Sequence, residues 1–246
     1  HNPESTRIPW HTAFIEALQQ ELSQYSHILT FIPEFQLTAE PLRIDVIIIK
    51  KTQDTPITKN IAASFRSVNL VEYKSPADYG TVEDFYKVYG YACLYASLHK
   101  VPVTELTLSF VESRYPRDVL GHFKEIRGYT VEERNRGIYT VVGDIIPIQI
   151  IDSRELEEEE SIWLKGLDWG LGAEEIERIA EEIGKLGKGA KIGAYADAVI
   201  RANTEGLKEV IGMRRRRSKL TLEQVLEETG LIAEWKAEGK LEVAGI

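Results

Sequence analysis

Two apolar runs that carry charge constrain this chain most. Arg43-Ile44-Asp45-Val46-Ile47-Ile48-Ile49 and Leu70-Val71-Glu72-Tyr73-Lys74-Ser75 are short, rich in Ile, Val and Leu, and flanked by Pro41 and Pro76. Both read as strands. Side chains alternate along a strand, so Asp45 shares a face with Ile47, and Glu72 shares one with Lys74. A charge on an apolar strand costs several kcal/mol unless a partner or a metal compensates. Asp45 and Glu72 are hard oxygen donors of the type Mg²⁺ prefers. Lys74 beside such an ion suits a role in orienting or deprotonating water, or in stabilising a developing negative charge. That is the chemistry of phosphodiester hydrolysis. The same pattern also fits two edge strands with polar outer faces and a Glu72–Lys74 surface pair.

The surrounding pattern frames these strands. Trp10, Phe14, Ala17, Leu18, Leu22 and Tyr25 recur at helical spacing, predicting a helix over 10–25. Thr30 to Leu37 reads as a strand that Pro33 confines to an edge or a bulge. Ile61 to Ser67 and Asn69 to Lys74 read as one kinked strand or two. Thr81 is a good N-cap, with Asp84 three residues on, for a helix reaching His99. Thr104 to Glu112 alternates as a strand, so a parallel βαβ unit is expected. A short helix over 116–126 follows, then strands within 128–142 and 145–151, with Pro147 suggesting an edge. From Glu155 onward the chain reads as helical, over 161–171, 173–186, 192–203 and 222–228. The expected division is an α/β core over 1–152 and a helical region over 153–246.

At this point a resemblance appears. Leu42-Arg43-Ile44-Asp45-Val46-Ile47-Ile48 with Leu70-Val71-Glu72-Tyr73-Lys74 resembles the acid and E-x-K elements of the PD-(D/E)XK nuclease superfamily. More narrowly, the chain resembles its Rpn-like, transposase-associated bacterial members. Pro41-Leu42-x-Ile44-Asp45, Glu72-Tyr73-Lys74-Ser75-Pro76, Val82-Glu83-Asp84-Phe85-Tyr86-Lys87 and the charged Glu234-Trp235-Lys236-Ala237-Glu238-Gly239-Lys240 carry it. Ile44 stands where the superfamily often has Pro. The resemblance covers roughly residues 10–152. It implies an α/β, restriction-endonuclease-like mixed sheet flanked by helices, in the order α-β-β-β-α-β. It further implies a DNA endonuclease associated with mobile elements, with Mg²⁺ as cofactor and Mn²⁺ as a substitute. Asp45 and Glu72 take the metal-ligand positions and Lys74 completes the triad. Members without turnover make a catalytically silent scaffold or interaction module the alternative.

Other candidates are weaker. Glu16 on the first helix fits a further ligand or water-orienting acid, or a solvated helix residue; Glu21 is open to the same two readings. Lys87 and Tyr91, one helical turn apart, fit a phosphate clamp, or a snorkelling lysine and a core tyrosine. Glu34 and Glu40 flank the edge strand. His11, His27, His99 and His122 have no metal-ligand spacing. No G-x-S-x-G and no phosphate-loop motif is present. Arg214 to Arg217 with Lys219 suit phosphate contacts or an exposed loop. Residues 221–230 resemble the opening of a helix-turn-helix but lack a basic recognition helix after it. A net charge of −9 argues against indiscriminate nucleic-acid binding. One cysteine, Cys93, makes no internal disulfide, and no secretory pattern opens the chain, so a cytoplasmic protein is expected. No apolar run approaches the ~20 residues that span a bilayer. An edge strand and a helical tail are compatible with a homodimer.

Overall fold

The computed structural model describes residues 8–36, 43–50, 55–187, 190–208 and 210. The chain is α/β, with a seven-stranded mixed sheet and flanking helices. The strands are β1 (Leu29–Gln36), β2 (Arg43–Lys50), β3 (Val68–Tyr73), β4 (Leu106–Glu112), β5 (Thr130–Asn135), β6 (Ile138–Val142) and β7 (Ile148–Asp152). The helices are α1 (Trp10–Glu21), α2 (Val82–His99), α3 (Arg117–Glu125), α4 (Glu158–Lys165), α5 (Ala173–Lys185) and α6 (Gly193–Ala202). The sheet order is β1-β2-β3-β4-β7-β6-β5. β1, β2 and β3 pair antiparallel; β3, β4 and β7 run parallel; β5 and β6 close the other side antiparallel. Among the described residues no helix is long and apolar enough to cross a membrane.

Contacts divide the chain into two compact units. One is Leu18–Ser161; the other joins the described residues before Leu18 to those from Ile162 on. The first contains the whole sheet. Ile47, Leu70, Leu108, Phe110, Ile148 and Ile150 form one apolar face with Phe85, Val88, Tyr95 and Phe123 of α2 and α3. Burying side chains of this kind stabilises by roughly 1.5–3 kcal/mol each. α2 starts at a capping box: the Thr81 hydroxyl oxygen accepts Asp84 N–H while Asp84 accepts Thr81 N–H. It stops at Lys100, whose φ of 54° is left-handed.

The second unit has its own apolar cluster of Ala173, Ile176, Ala180, Ala196, Ile200 and Leu207. Asn203 pins it: Nδ2 donates to the carbonyls of Asp168 and Val199, and Oδ1 accepts Leu171 N–H. Trp10 meets Trp169 edge-on at 6.2 Å.

Three expectations change. Ile61 to Ser67 is not a strand: a 3-10 turn (Asn60–Ala62) and a loop take its place. Side-chain bonds hold that loop where a ladder would have been, since Gln149 Nε2 donates to Ile61 O and the Thr107 hydroxyl to Ser64 O. Pro147 does not mark an edge, because β7 lies between β4 and β6. It precedes the ladder, where its missing N–H costs nothing, and its carbonyl accepts Leu108 N–H. Pro33 does lie on an edge strand, β1. Finally, β2 and β3 are interior strands, and β3 is buried along its whole length, so the surface-pair alternative fails. The runs at 214–219, 221–230 and 234–240 lie outside the described residues, as do Glu40, Pro41 and Leu42.

Candidate active site

The antiparallel register sets Val46 opposite Val71. Extended by one residue, it places Asp45 opposite Glu72 on the same face of the sheet. Asp45 Oδ2 accepts the Tyr73 N–H at 2.8 Å, which ties its carboxylate to the end of β3. The parallel register then continues the row. Tyr73 pairs with Val111, Lys74 N–H donates to Val111 O, and Lys74 therefore lies beside Glu112. Glu112 in turn pairs with Asp152. Asp45, Glu72, Lys74, Glu112 and Asp152 thus line one face, the last four at the carboxyl ends of three parallel strands. Crevices at such ends are the usual ligand sites of open α/β sheets.

The row is buried. Glu72 is 6 % exposed, Glu112 3 % and Asp152 4 %. Burial, reinforced by the charge of Asp45, pushes the Glu72 carboxyl up to about 7 against the opposing pull of Lys74 and Lys87. Burial also lifts Glu112 to about 7, with Asp152 adding to it and the Gly80 N–H opposing it. Asp152 is raised for the same first reason. Lys74 Nζ lies 2.9 Å from Asp84 Oδ1 and 3.8 Å from Glu72 Oε1. Burial pulls Lys74 down, but Asp84 and Glu72 outweigh it and hold the ammonium above its usual range. Asp84 is correspondingly lowered: burial raises it, and Lys74 with the Thr81 N–H more than reverses that.

The structure therefore brings Asp45, Glu72 and Lys74 together. Lys87 is exposed, with Nζ 5.8 Å from the Tyr91 ring centroid, and its charge reaches Glu72. Tyr91 is buried. Glu16 belongs to the other compact unit. Its Oε2 accepts the Tyr195 N–H at 2.7 Å near the start of α6, and burial raises its carboxyl. Glu21 is buried and paired with Lys59 at 2.8 Å. His122 Nε2 bonds the Tyr86 hydroxyl.

Glu112, Asp152 and the Asp84 contact were not anticipated from sequence. A signal existed: Glu112 ends β4 in phase with Leu106, Leu108 and Phe110, and Asp152 ends β7 in phase with Ile148 and Ile150. Both are acids at buried parity. Gly137 (φ 74°) helps place Asp152, since a Cβ there would meet Asp152 O at 2.7 Å.

Among the described residues no three His, Cys, Asp or Glu side chains are grouped to hold a metal ion. A cation here would rest on Asp45 and Glu72, the two-carboxylate attachment that Mg²⁺ accepts when waters complete its shell. The pair fits that role: the two residues stand opposite each other on one face of the sheet, and a divalent charge would offset the burial, and after it the Asp45 charge, that lift Glu72. No family model, no curated protein and no solved structure matches the chain.

Proposed function

We propose that this chain is a Mg²⁺-dependent nuclease acting on DNA phosphodiesters, as the PD-(D/E)XK resemblance implies. The observation that carries the reading is Asp45 directly across from buried Glu72, with the Lys74 ammonium beside them. When bound, the divalent ion supplies charge neutralisation at the scissile phosphate and a more acidic water. Asp45 and Glu72 would hold it through carboxylate oxygens. Lys74 stays protonated at neutral pH, because Asp84 and Glu72 raise it. Its part is to donate hydrogen bonds and stabilise negative charge developing on the phosphate, not to take a proton.

Plasmid nicking with Mg²⁺ and with Mn²⁺ tests this. Lys74→Ala is expected to lower the rate by about 100-fold or more, the scale of losing one preorganised donor; equal cleavage by both proteins removes Lys74 from the mechanism. Calorimetry is expected to show a Mg²⁺ site that Asp45→Asn abolishes. Because the ion must displace the proton of Glu72, its affinity should tighten as pH rises through about 7.

A second reading has an observation of its own. Glu72, Asp84 and Glu112 all interact with Lys74, Asp152 follows Glu112 in the row, and the chain carries a net charge of −9. That favours a silent interaction module over a groove for a polyanion. Mg²⁺ binding without any cleavage would select it.

A further inference from the structure

Asp84 uses both carboxylate oxygens. Oδ2 accepts from the Thr81 N–H at 3.1 Å and from the Thr81 hydroxyl at 3.0 Å, which closes the capping box of α2. Oδ1 holds Lys74 Nζ at 2.9 Å, nearer than the 3.8 Å that separates Nζ from Glu72. The start of α2 is itself gripped from the sheet, since Gly80 N–H donates to Glu112 Oε2 at 3.0 Å. A lysine ammonium on a flexible four-carbon stem has no fixed place of its own. Here its place is set by a helix start that is itself capped and anchored to the sheet.

We propose that Asp84 is the positioning residue of Lys74: the cap of α2 doubles as the anchor that keeps the ammonium beside Glu72 without a close Glu72–Lys74 pair. The Glu72 carboxylate is thereby left to face Asp45 and whatever cation the two share. The consequence for rate rests on the nuclease reading; the anchoring does not. A cap alone needs only a hydrogen-bond acceptor, whereas an ammonium anchor needs an anion, so Asp84→Asn separates the two roles. Asparagine still offers Thr81 N–H an oxygen.

The test is ¹⁵N detection of lysine ammonium groups, in which a hydrogen-bonded Lys74 gives a slowly exchanging signal identified by its absence in Lys74→Ala. D84N is expected to stay folded, with a thermal midpoint lowered only by the lost ion pair, and to lose that signal. It is also expected to lower single-turnover cleavage by about tenfold or more, while half-saturation by Mg²⁺ and by DNA moves less than about threefold. A D84N protein that keeps the signal, or keeps the wild-type rate, overturns the proposal. So does a wild-type protein with no protected Lys74 signal, a measurement that needs no D84N protein to fold. No cleavage by wild type, together with loss of the signal in D84N, sinks the nuclease reading and leaves the anchoring supported.

Discussion

Glu112 shows what one buried acid does to the balance of the site. It is almost fully buried at the end of β4, and its carboxyl titrates at about 7 against an ordinary 4.5. A carboxyl raised by folding stabilises the folded state while both states are protonated, below about 4.5. That contribution is lost as pH rises, because the unfolded chain ionises first, and it is gone above about 7. At one pKa unit per 1.36 kcal/mol, the loss is up to about 3 kcal/mol. Glu112→Gln should therefore raise the denaturation midpoint at pH 8 and leave it nearly unchanged at pH 4; a change of equal size at both pH values counts against a carboxyl held by burial. Asp45 and the Glu72-x-Lys74 pair were legible as residues because charge interrupts an apolar run. Glu112 and Asp152 carry the same mark but sit at strand ends, where an acid also reads as the first residue of a turn. Only the register of β3, β4 and β7 sets them in one row.

At the scale of the element, α2 holds the site from one side and is itself fastened at the other end of the sheet. Arg127 lies within 4.9–5.7 Å of the rings of Phe85, Tyr86, Tyr89 and Tyr129, a cation stacked among aromatic faces. Its guanidinium pairs at 3.1 Å with Asp144, whose side chain is 1 % exposed. Tyr89, Tyr129 and the Ile146 N–H also donate to that carboxylate. α2 is thus tied to the turn between β6 and β7. Asp144→Ala strips the partner from a partly buried cation and should cost about 3 kcal/mol in chemical denaturation; a loss under about 1 kcal/mol would mean that the rings alone hold Arg127. Elements of strong period, such as α2 and β4, were readable nearly to their ends. The loop at 61–67 was not, because its β-like composition competes with side-chain bonds from Gln149 and Thr107, residues near it only after folding.

Across the whole molecule, the first residues of α1 join a unit built mostly from the far end of the chain. Glu16 is the example. Its carboxylate meets the Tyr195 N–H, at the positive end of α6. Glu16→Ala should lower the stability of that unit by about 1 kcal/mol, the usual worth of a helix cap, read as earlier amide exchange in α6; unchanged exchange would mean the contact adds nothing. By itself the sequence determined the α/β class, the order of strands and helices around Asp45 and Glu72-x-Lys74, and the N-cap of α2 at Thr81. Those follow from local periodicity, caps and charge placement, which neighbouring residues carry. Tertiary structure alone decided that β7 inserts beside β4, that Glu112 and Asp152 extend the acidic row, that Asp84 grips Lys74, and that Glu16 caps a helix 179 residues away in sequence. Each depends on which distant strand or helix is adjacent, and that is settled by global burial of apolar faces, to which no short stretch of chain has access.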